Sequence, residues 1–272
     1  MASANSGEQN VRHMRSQHPI LVLDLETIVD TSLPPPKKKK DGQDAFPPIP
    51  HHQIVVLGAA LLDERYRLRR IWAAGEGKGE EEALAALVTF LNGHLDDRRR
   101  ITIVGWNSRG FDIPVILARS LRYGLSFPWY YAGRDARYRF STEGHFDLMD
   151  FLVDHGATRG YSLNLAAKLI GMPGKMDTNG GDVAEMVAAG RIEEVISYCL
   201  SDVAQTVAVL LRTQLLRGEI TLAEYVEAAE ALLRGIEREP RLAPMVPLID
   251  QRRFVLRERL GGGETTAARA AS

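Results

Sequence analysis

A chain of 272 residues, 45% hydrophobic and 25% charged, has the composition of a globular protein with enough apolar material for a sizeable core. Its net charge of −1 excludes a global basic field that would attract nucleic acid, so any such contact must come from local basic groups and metal ions. The single cysteine, Cys199, excludes an internal disulfide, suits a reducing cytoplasm, which is the expected location, and is itself expected to be a buried thiol.

Residues 1–18 are polar and lack the apolar core of a secretory signal. They are expected to be a disordered tail. No apolar stretch reaches the roughly 20 residues that span a bilayer, so no membrane association is expected. PILVLDLET (19–27) reads as a buried strand. Residues 31–52, rich in proline and carrying Lys37–Lys40, read as a long loop without regular structure. QIVVLGAALLD (53–63) and YRLRRIWAAG (66–75) form a hairpin pattern around Asp63–Arg65.

EEEALAALVTFLNGHL (80–95) has helical periodicity with acidic residues in its first turn. ITIVGW (101–106) is a short strand, and DIPVILARSLRYGL (112–125) a helix with Pro114 in its first turn. HFDLMDFL (145–152) is a strand or a strand-to-helix segment. YSLNLAAKLIGM (161–172) is a helix capped by Ser162, PGKMDTNGGD (173–182) a glycine-rich loop and VAEMVAAG (183–190) a short helix. Residues 191–218 make a long amphipathic helix stopped at Gly218, and residues 222–239 a final helix.

This order predicts an α/β fold. A mixed five- or six-stranded sheet, antiparallel at first and then parallel, is flanked by helices, with extra helices at the C-terminus. Ribonuclease H-like folds have this organisation. The expected division is one such domain over 19–218, a helical extension over 219–251 and a disordered tail over 252–272.

Four carboxylates stand at the ends of these elements. Asp24 and Glu26 in LVLDLET lie two apart on a strand and so face one side. Asp112 in NSRGFD opens a helix, where it could act as the cap, and where the helix dipole keeps a carboxylate ionised. Asp202 in YCLSD lies one helical turn after Tyr198, on the same face. Each acid also has an ordinary structural explanation on its own: a solvated strand end, a helix cap, an exposed helix face.

In this order, D-x-E, N-x-x-x-F-D and Y-x-x-x-D resemble the DEDD superfamily of 3′→5′ exonucleases. Tyr198 points to the tyrosine-bearing branch, DEDDy. The histidine-bearing branch would need histidine at position 197, which is Ser197. DLET, GQDAFPPIPHHQIVVLG, GWNSRGFDIPVILARS, HFDLMDFL, SLNLAAKLIGMPGK and YCLSDV together resemble the predicted exonuclease family related to the proofreading domain of family B DNA polymerases. The likeness covers about residues 19–215 and includes no polymerase palm or fingers.

The resemblance implies two-metal phosphodiester hydrolysis, with two Mg²⁺ or Mn²⁺ ions roughly 3.5–4 Å apart. Hard cations select oxygen ligands. By the family pattern Asp24 bridges both ions, Glu26 and Asp202 complete the site that activates water, and Asp112 acts on the second ion. Tyr198 orients the water; with an ordinary pKa near 10 it is a poor general base at neutral pH. The implied partner is a single-stranded 3′ end of nucleic acid, DNA in the first place, releasing nucleoside 5′-monophosphates.

Candidate strand contacts are Asn107, Arg109, Phe111 and Lys175. Trp106 is expected to pack in the core, and Lys37–Lys40 could form a phosphate-grasping arm. Asp147 and Asp150 read either as supports of the site or as helix caps. His51, His52, His145 and His155 show no zinc-ligand spacing with cysteines. Two other readings remain open: an exoribonuclease or oligonucleotide-trimming enzyme, and a non-catalytic nucleic-acid-binding module on the same fold.

Overall fold

The computed structural model describes residues 18–36, 45–76, 78–95, 100–132, 135–175 and 183–260. The first apolar run forms β1 (Ile20–Val29). The chain returns antiparallel as β2 (His52–Leu62) and turns into β3 (Leu68–Ala74). Asp63 closes that turn by accepting the N–H groups of Arg65 and Arg67, each at 2.9 Å. α1 (Glu80–Asn92) leads to β4 (Thr102–Gly105). α2 (Asp112–Arg122) and α3 (Pro128–Ala132) lead to β5 (His145–Asp147). β4 lies parallel to β1, and β5 parallel to β4. The sheet has five strands in the order β3-β2-β1-β4-β5.

β5 runs straight into α4 (Leu148–Leu152), which resolves the ambiguous segment as strand and then helix. α5 (Leu163–Leu169) starts at Ser162, whose hydroxyl accepts the Leu165 N–H. α6 (Val183–Ala188) and α7 (Ile192–Arg217) follow, and α7 ends at Gly218 in the left-handed conformation. α8 (Leu222–Arg238) opens with a reciprocal capping box between Thr221 and Glu224.

Two expectations are revised, and one falls outside the described residues. The loop over 31–52 is not wholly irregular, because Ile49–His51 form a 3₁₀ turn and β2 already begins at His52. Lys37–Lys40 lie outside the described residues. The C-terminal tail does not begin at 252: Gln251–Val255 form α9, and Phe254 is fully buried. Arg212 of α7 holds this end in place by donating to the carbonyls of Arg253 (2.8 Å) and Phe254 (3.0 Å). Burying phenylalanine there is worth a few kcal/mol, which ordinary tail composition conceals.

α7 also exceeds the expected length of apolar sequence. It is long and apolar enough to cross a membrane, yet 78% of its apolar window is buried inside the fold. The apolar character has a tertiary cause. Val195, Cys199, Val203 and Val207 belong to one core cluster with the even face of β1 (Ile20, Val22), with β2 and with α8. The odd face of β1 (Leu21, Leu23, Leu25) packs in a second cluster with α1 and α2. A strand buried on both faces reads as an unbroken apolar run.

A buried ion cluster joins the ends of three elements. The Arg119 guanidinium in α2 is 2% exposed and donates to Asp30 beyond β1 (2.7 Å) and to Glu80 at the start of α1 (2.6 Å). Glu80 also accepts the Ile54 N–H of β2 at 2.7 Å. Charges buried this deeply persist only when paired on all sides.

The packing of α7 on the sheet depends on Gly58 of β2. A β-carbon there would stand 2.7 Å from Cys199 Sγ and 2.9 Å from Val203 Cγ2. Gly58→Ala is expected to lower the unfolding free energy by about 1–3 kcal/mol, the usual cost of overpacking a core. A urea transition with an unchanged midpoint would show that α7 does not need this close approach.

Candidate active site

The even face of β1 changes character along the strand. Ile20 and Val22 are buried in the core, and Asp24 and Glu26 continue the same face where the strand leaves it. Asp24 pairs in register with Gly58. The glycine therefore sets the distance between α7 and the first carboxylate. Cys199 Sγ lies 3.6 Å from Asp24 Oδ2, and donor atoms of Asp24, Glu26 and Cys199 lie within 4.8 Å of one another.

Asp202 and Tyr198 are on the same face of α7 as Cys199, at helical spacing. Tyr198 stands one helical turn before Asp202, and Gln205 Nε2 donates to Asp202 Oδ1 at 3.2 Å. Lys175 Nζ stands 5.8 Å from the Tyr198 ring. It draws the carboxyl groups of both Glu26 and Asp202 down, against the other influences on them.

Asp112 reaches the group from the other side of β1. It does not cap α2, whose cap position is Phe111 without a side-chain bond. Its Oδ1 accepts the Leu25 N–H of β1 at 3.1 Å. The physical reason lies in strand length: β4 stops pairing with β1 at Val22, so the edge beyond it has no strand partner, and the carboxylate satisfies a backbone donor left over.

The turn that delivers Asp112 is tightly built. A β-carbon at Gly105 would stand 2.5 Å from Ser108 Cβ, and Asn107 adopts φ 58°, which asparagine tolerates better than most residues. Asp147 at the end of β5 accepts the N–H groups of Asn107 (3.1 Å), Arg109 (2.8 Å) and Asp150 (3.1 Å). It is thus both the cap of α4 and a brace for the turn. Asp150 pairs with Arg139 and His155.

The predicted strand contacts divide. Asn107 and Lys175 are exposed, and of the two Lys175 lies beside the carboxylates, near Tyr198 and Asp202. Phe111 is partly buried and packs edge-on against His52 at 4.8 Å. Arg109 is used differently from the expectation: its guanidinium donates to the carbonyls of Ala136 (3.2 Å), Tyr138 (3.1 Å) and His145 (2.6 Å). A guanidinium held by three carbonyls positions a loop rather than a phosphate. Trp106 packs against Tyr161 as expected. Among the described residues no histidine joins the carboxylate group.

Sequence reasoning did not find Gly58, Cys199 as a neighbour of Asp24, or the cavity beside Asp202. That cavity, about 350 Å³, lies between α7 and residues Pro240, Arg241 and Pro244. Only the helical spacing of Cys199 to Asp202 offered a signal, and it did not say which face would meet β1.

Burial and mutual repulsion dominate the electrostatics. Desolvation, with Asp112, Glu26 and Asp202 nearby, raises the Asp24 carboxyl well above its usual range. Desolvation and then Asp202 and Asp112 push Glu26 up to about 8. Desolvation takes Asp112 to about 7 and Asp202 to about 6. Tyr198 is raised by burial and by the same acids, so it keeps its proton. An oxygen-rich group that repels itself this strongly is the donor set a hard divalent cation requires.

Residues 44–245 match the family described as predicted 3′–5′ exonucleases related to the exonuclease domain of PolB. The chain belongs to this family. The matched residues include Asp112, Tyr198 and Asp202, while Asp24 and Glu26 precede them on β1. Membership implies divalent metal ions in general terms. No curated protein matches the chain.

Among solved structures, the family B DNA polymerase of the hyperthermophilic archaeon Pyrobaculum calidifontis is 20% identical, with a TM-score of 0.50 over 81% of this chain and 29% of that one. The zinc-bound form of the E. coli ExoI–ssDNA complex is 15% identical, with a TM-score of 0.40 over 77% and 43%. The chain therefore spans less than half the length of these proteins. The fold is that of a ribonuclease H-like exonuclease: a mixed five-stranded sheet with flanking and C-terminal helices.

The carboxyl shifts have a consequence for stability. Unfolded carboxyls titrate near pH 4, whereas Asp202, Asp112 and Glu26 titrate at about 6, 7 and 8 in the folded chain. The folded state then holds more protons across that window, so stability falls as pH rises from about 4 to about 8. Metal-free protein is expected to melt lower at pH 8 than at pH 5.5, and Asp24→Asn to flatten this slope. Added Mg²⁺ or Mn²⁺ is expected to raise Tm at pH 8 in the wild type and not in Asp24→Asn. Equal slopes in the two proteins would contradict the charge repulsion described.

Proposed function

We propose that the protein is a metal-dependent 3′→5′ exonuclease of the DEDDy branch that removes nucleoside 5′-monophosphates from single-stranded DNA. One observation carries the reading: Asp24, Glu26, Asp112, Asp202 and Tyr198 converge from a strand end, a helix start and a long helix. The kinship of the family to a polymerase exonuclease domain supports DNA as the substrate.

Asp24, Glu26, Asp112 and Asp202 would hold two divalent ions, Mg²⁺ or Mn²⁺. Such ions lower the pKa of the attacking water and stabilise the leaving 3′-oxygen. The residues themselves supply position and charge. Asp112 fixes the β1 edge by accepting the Leu25 N–H on Oδ1, which would leave its second oxygen for an ion. Tyr198, which keeps its proton one helical turn before Asp202, acts as a donor that orients the water. Lys175 lowers the cost of gathering negative charge at Glu26 and Asp202. Asn107, exposed two residues after β4, would contact the strand.

The test is digestion of 3′- and 5′-labelled single-stranded DNA, duplex DNA and RNA with Mg²⁺, Mn²⁺ or EDTA. Release of 5′-mononucleotides from the 3′ end, fastest on single-stranded DNA and absent in EDTA, is expected. Preference for RNA would transfer the substrate to an exoribonuclease, and strand binding without release would identify a non-catalytic module. Asp24→Ala is expected to abolish digestion with an unchanged circular dichroism spectrum. Tyr198→Phe is expected to lower kcat by about one to two orders of magnitude with little change in KM, the signature of a group that orients in the transition state.

A further inference from the structure

We propose that Tyr131, Tyr138 and Phe140, with Arg137, form a stacking surface for the nucleic-acid strand upstream of the bond cleaved. The proposal rests on the exonuclease reading for the chemistry and on a separate set of residues for the binding. Tyr131, Tyr138 and Phe140 are each 57% exposed, an unusual density of bare aromatic rings on a folded surface. Tyr138 and Phe140 stand 5.7 Å apart, centroid to centroid, and Phe140 meets His155 at 4.6 Å.

Arginines are interleaved with these rings. Arg137 and Arg139 flank Tyr138 in sequence, and Arg139 is held bidentately by Asp150 at 2.9 and 2.6 Å. The Asp135 carboxylate is engaged by Arg100 at 2.9 Å. The Arg137 guanidinium lies 5.7 Å from the Tyr131 ring. Residues 131–140 contain no leucine, isoleucine, valine or methionine. Exposed ring faces beside a guanidinium group, with no aliphatic side chain larger than alanine, match stacked bases better than the apolar core of a protein interface.

The segment is tied to the turn that leads into Asp112. Arg109, three residues before Asp112, holds the carbonyls of Ala136 and Tyr138. A cavity of about 560 Å³ runs between Asn107 and Gly110 at one side and Tyr130 and Arg139 at the other. β1, β4 and β5 are parallel, so their carboxyl ends share one edge, where ligands of open α/β sheets bind. A strand whose 3′ end lies at Asp24 and Asp112 can follow this edge past β5 onto Tyr138 and Phe140.

The experiment compares wild type with Tyr138→Ala/Phe140→Ala and with Tyr138→Trp/Phe140→Trp. Affinity for a 5′-fluorescein-labelled thymidine 20-mer is read by anisotropy in EDTA. Activity is read on the p-nitrophenyl ester of thymidine 5′-monophosphate, which occupies only the terminal position. The alanine pair is expected to raise Kd about tenfold or more, to leave ester hydrolysis within about twofold, and to melt like wild type. The tryptophan pair is expected to restore binding, because it keeps the ring faces. An unchanged Kd in the alanine pair overturns the proposal. So does a loss of ester hydrolysis at unchanged Kd, which would make the segment a support for the turn held by Arg109. A wild type that binds the strand but hydrolyses neither substrate would count against the exonuclease reading and not against this surface.

Discussion

The structure depends on how closely α7 lies against the sheet. Gly58 leaves no side chain between β2 and the helix, so Cys199 and Val203 rest against the strand backbone. Because Gly58 pairs with Asp24, the same contact that packs the core brings Tyr198 and Asp202 to the carboxylates of β1. Packing and site geometry are thus one constraint. A helix displaced outward by the width of a methyl group would relieve repulsion among the acids and at the same time open the core.

That closeness carries an electrostatic cost. Four carboxyl groups share a half-buried space and push one another toward the protonated form. The fold tolerates this because the acids sit where the sheet ends, on a strand whose other face remains Leu21, Leu23 and Leu25. Elsewhere the chain treats buried charge in the opposite way. Arg119 is matched by Asp30 and Glu80, and hydrogen bonds from Ser32 and Arg119 hold Asp30 well below the usual carboxylate range. Paired charges join elements, and like charges left together form a place for a cation.

The turn after β4 gives the third acid its position. Asp112 satisfies a β1 donor that β4 is too short to reach, and Asp147 braces the turn from the next strand. The cap role considered for Asp112 is not taken up, because α2 begins at Asp112 itself and the cap position falls on Phe111. Arg109 likewise serves the backbone. It looks like a phosphate ligand in a list of residues, but three backbone carbonyls surround it.

Much of the fold was legible in the chain. Period-2 and period-3.6 patterns, Ser162, Pro114 and Gly218 located strands and helices, and the order of elements allowed few topologies. D-x-E on a strand and Y-x-x-x-D on a helix were legible because each spacing places both groups on one face. The sequence by itself therefore determined which side chains share a face and which elements exist. Tertiary structure alone decided which faces meet: that α7 approaches at Gly58, that Asp112 crosses to Leu25, that residues 251–255 return to the core, and that Tyr138 and Phe140 stay outside it. The physical reason is that propensity and periodicity act within one element, whereas close approach, desolvation and charge repulsion arise between elements distant along the chain.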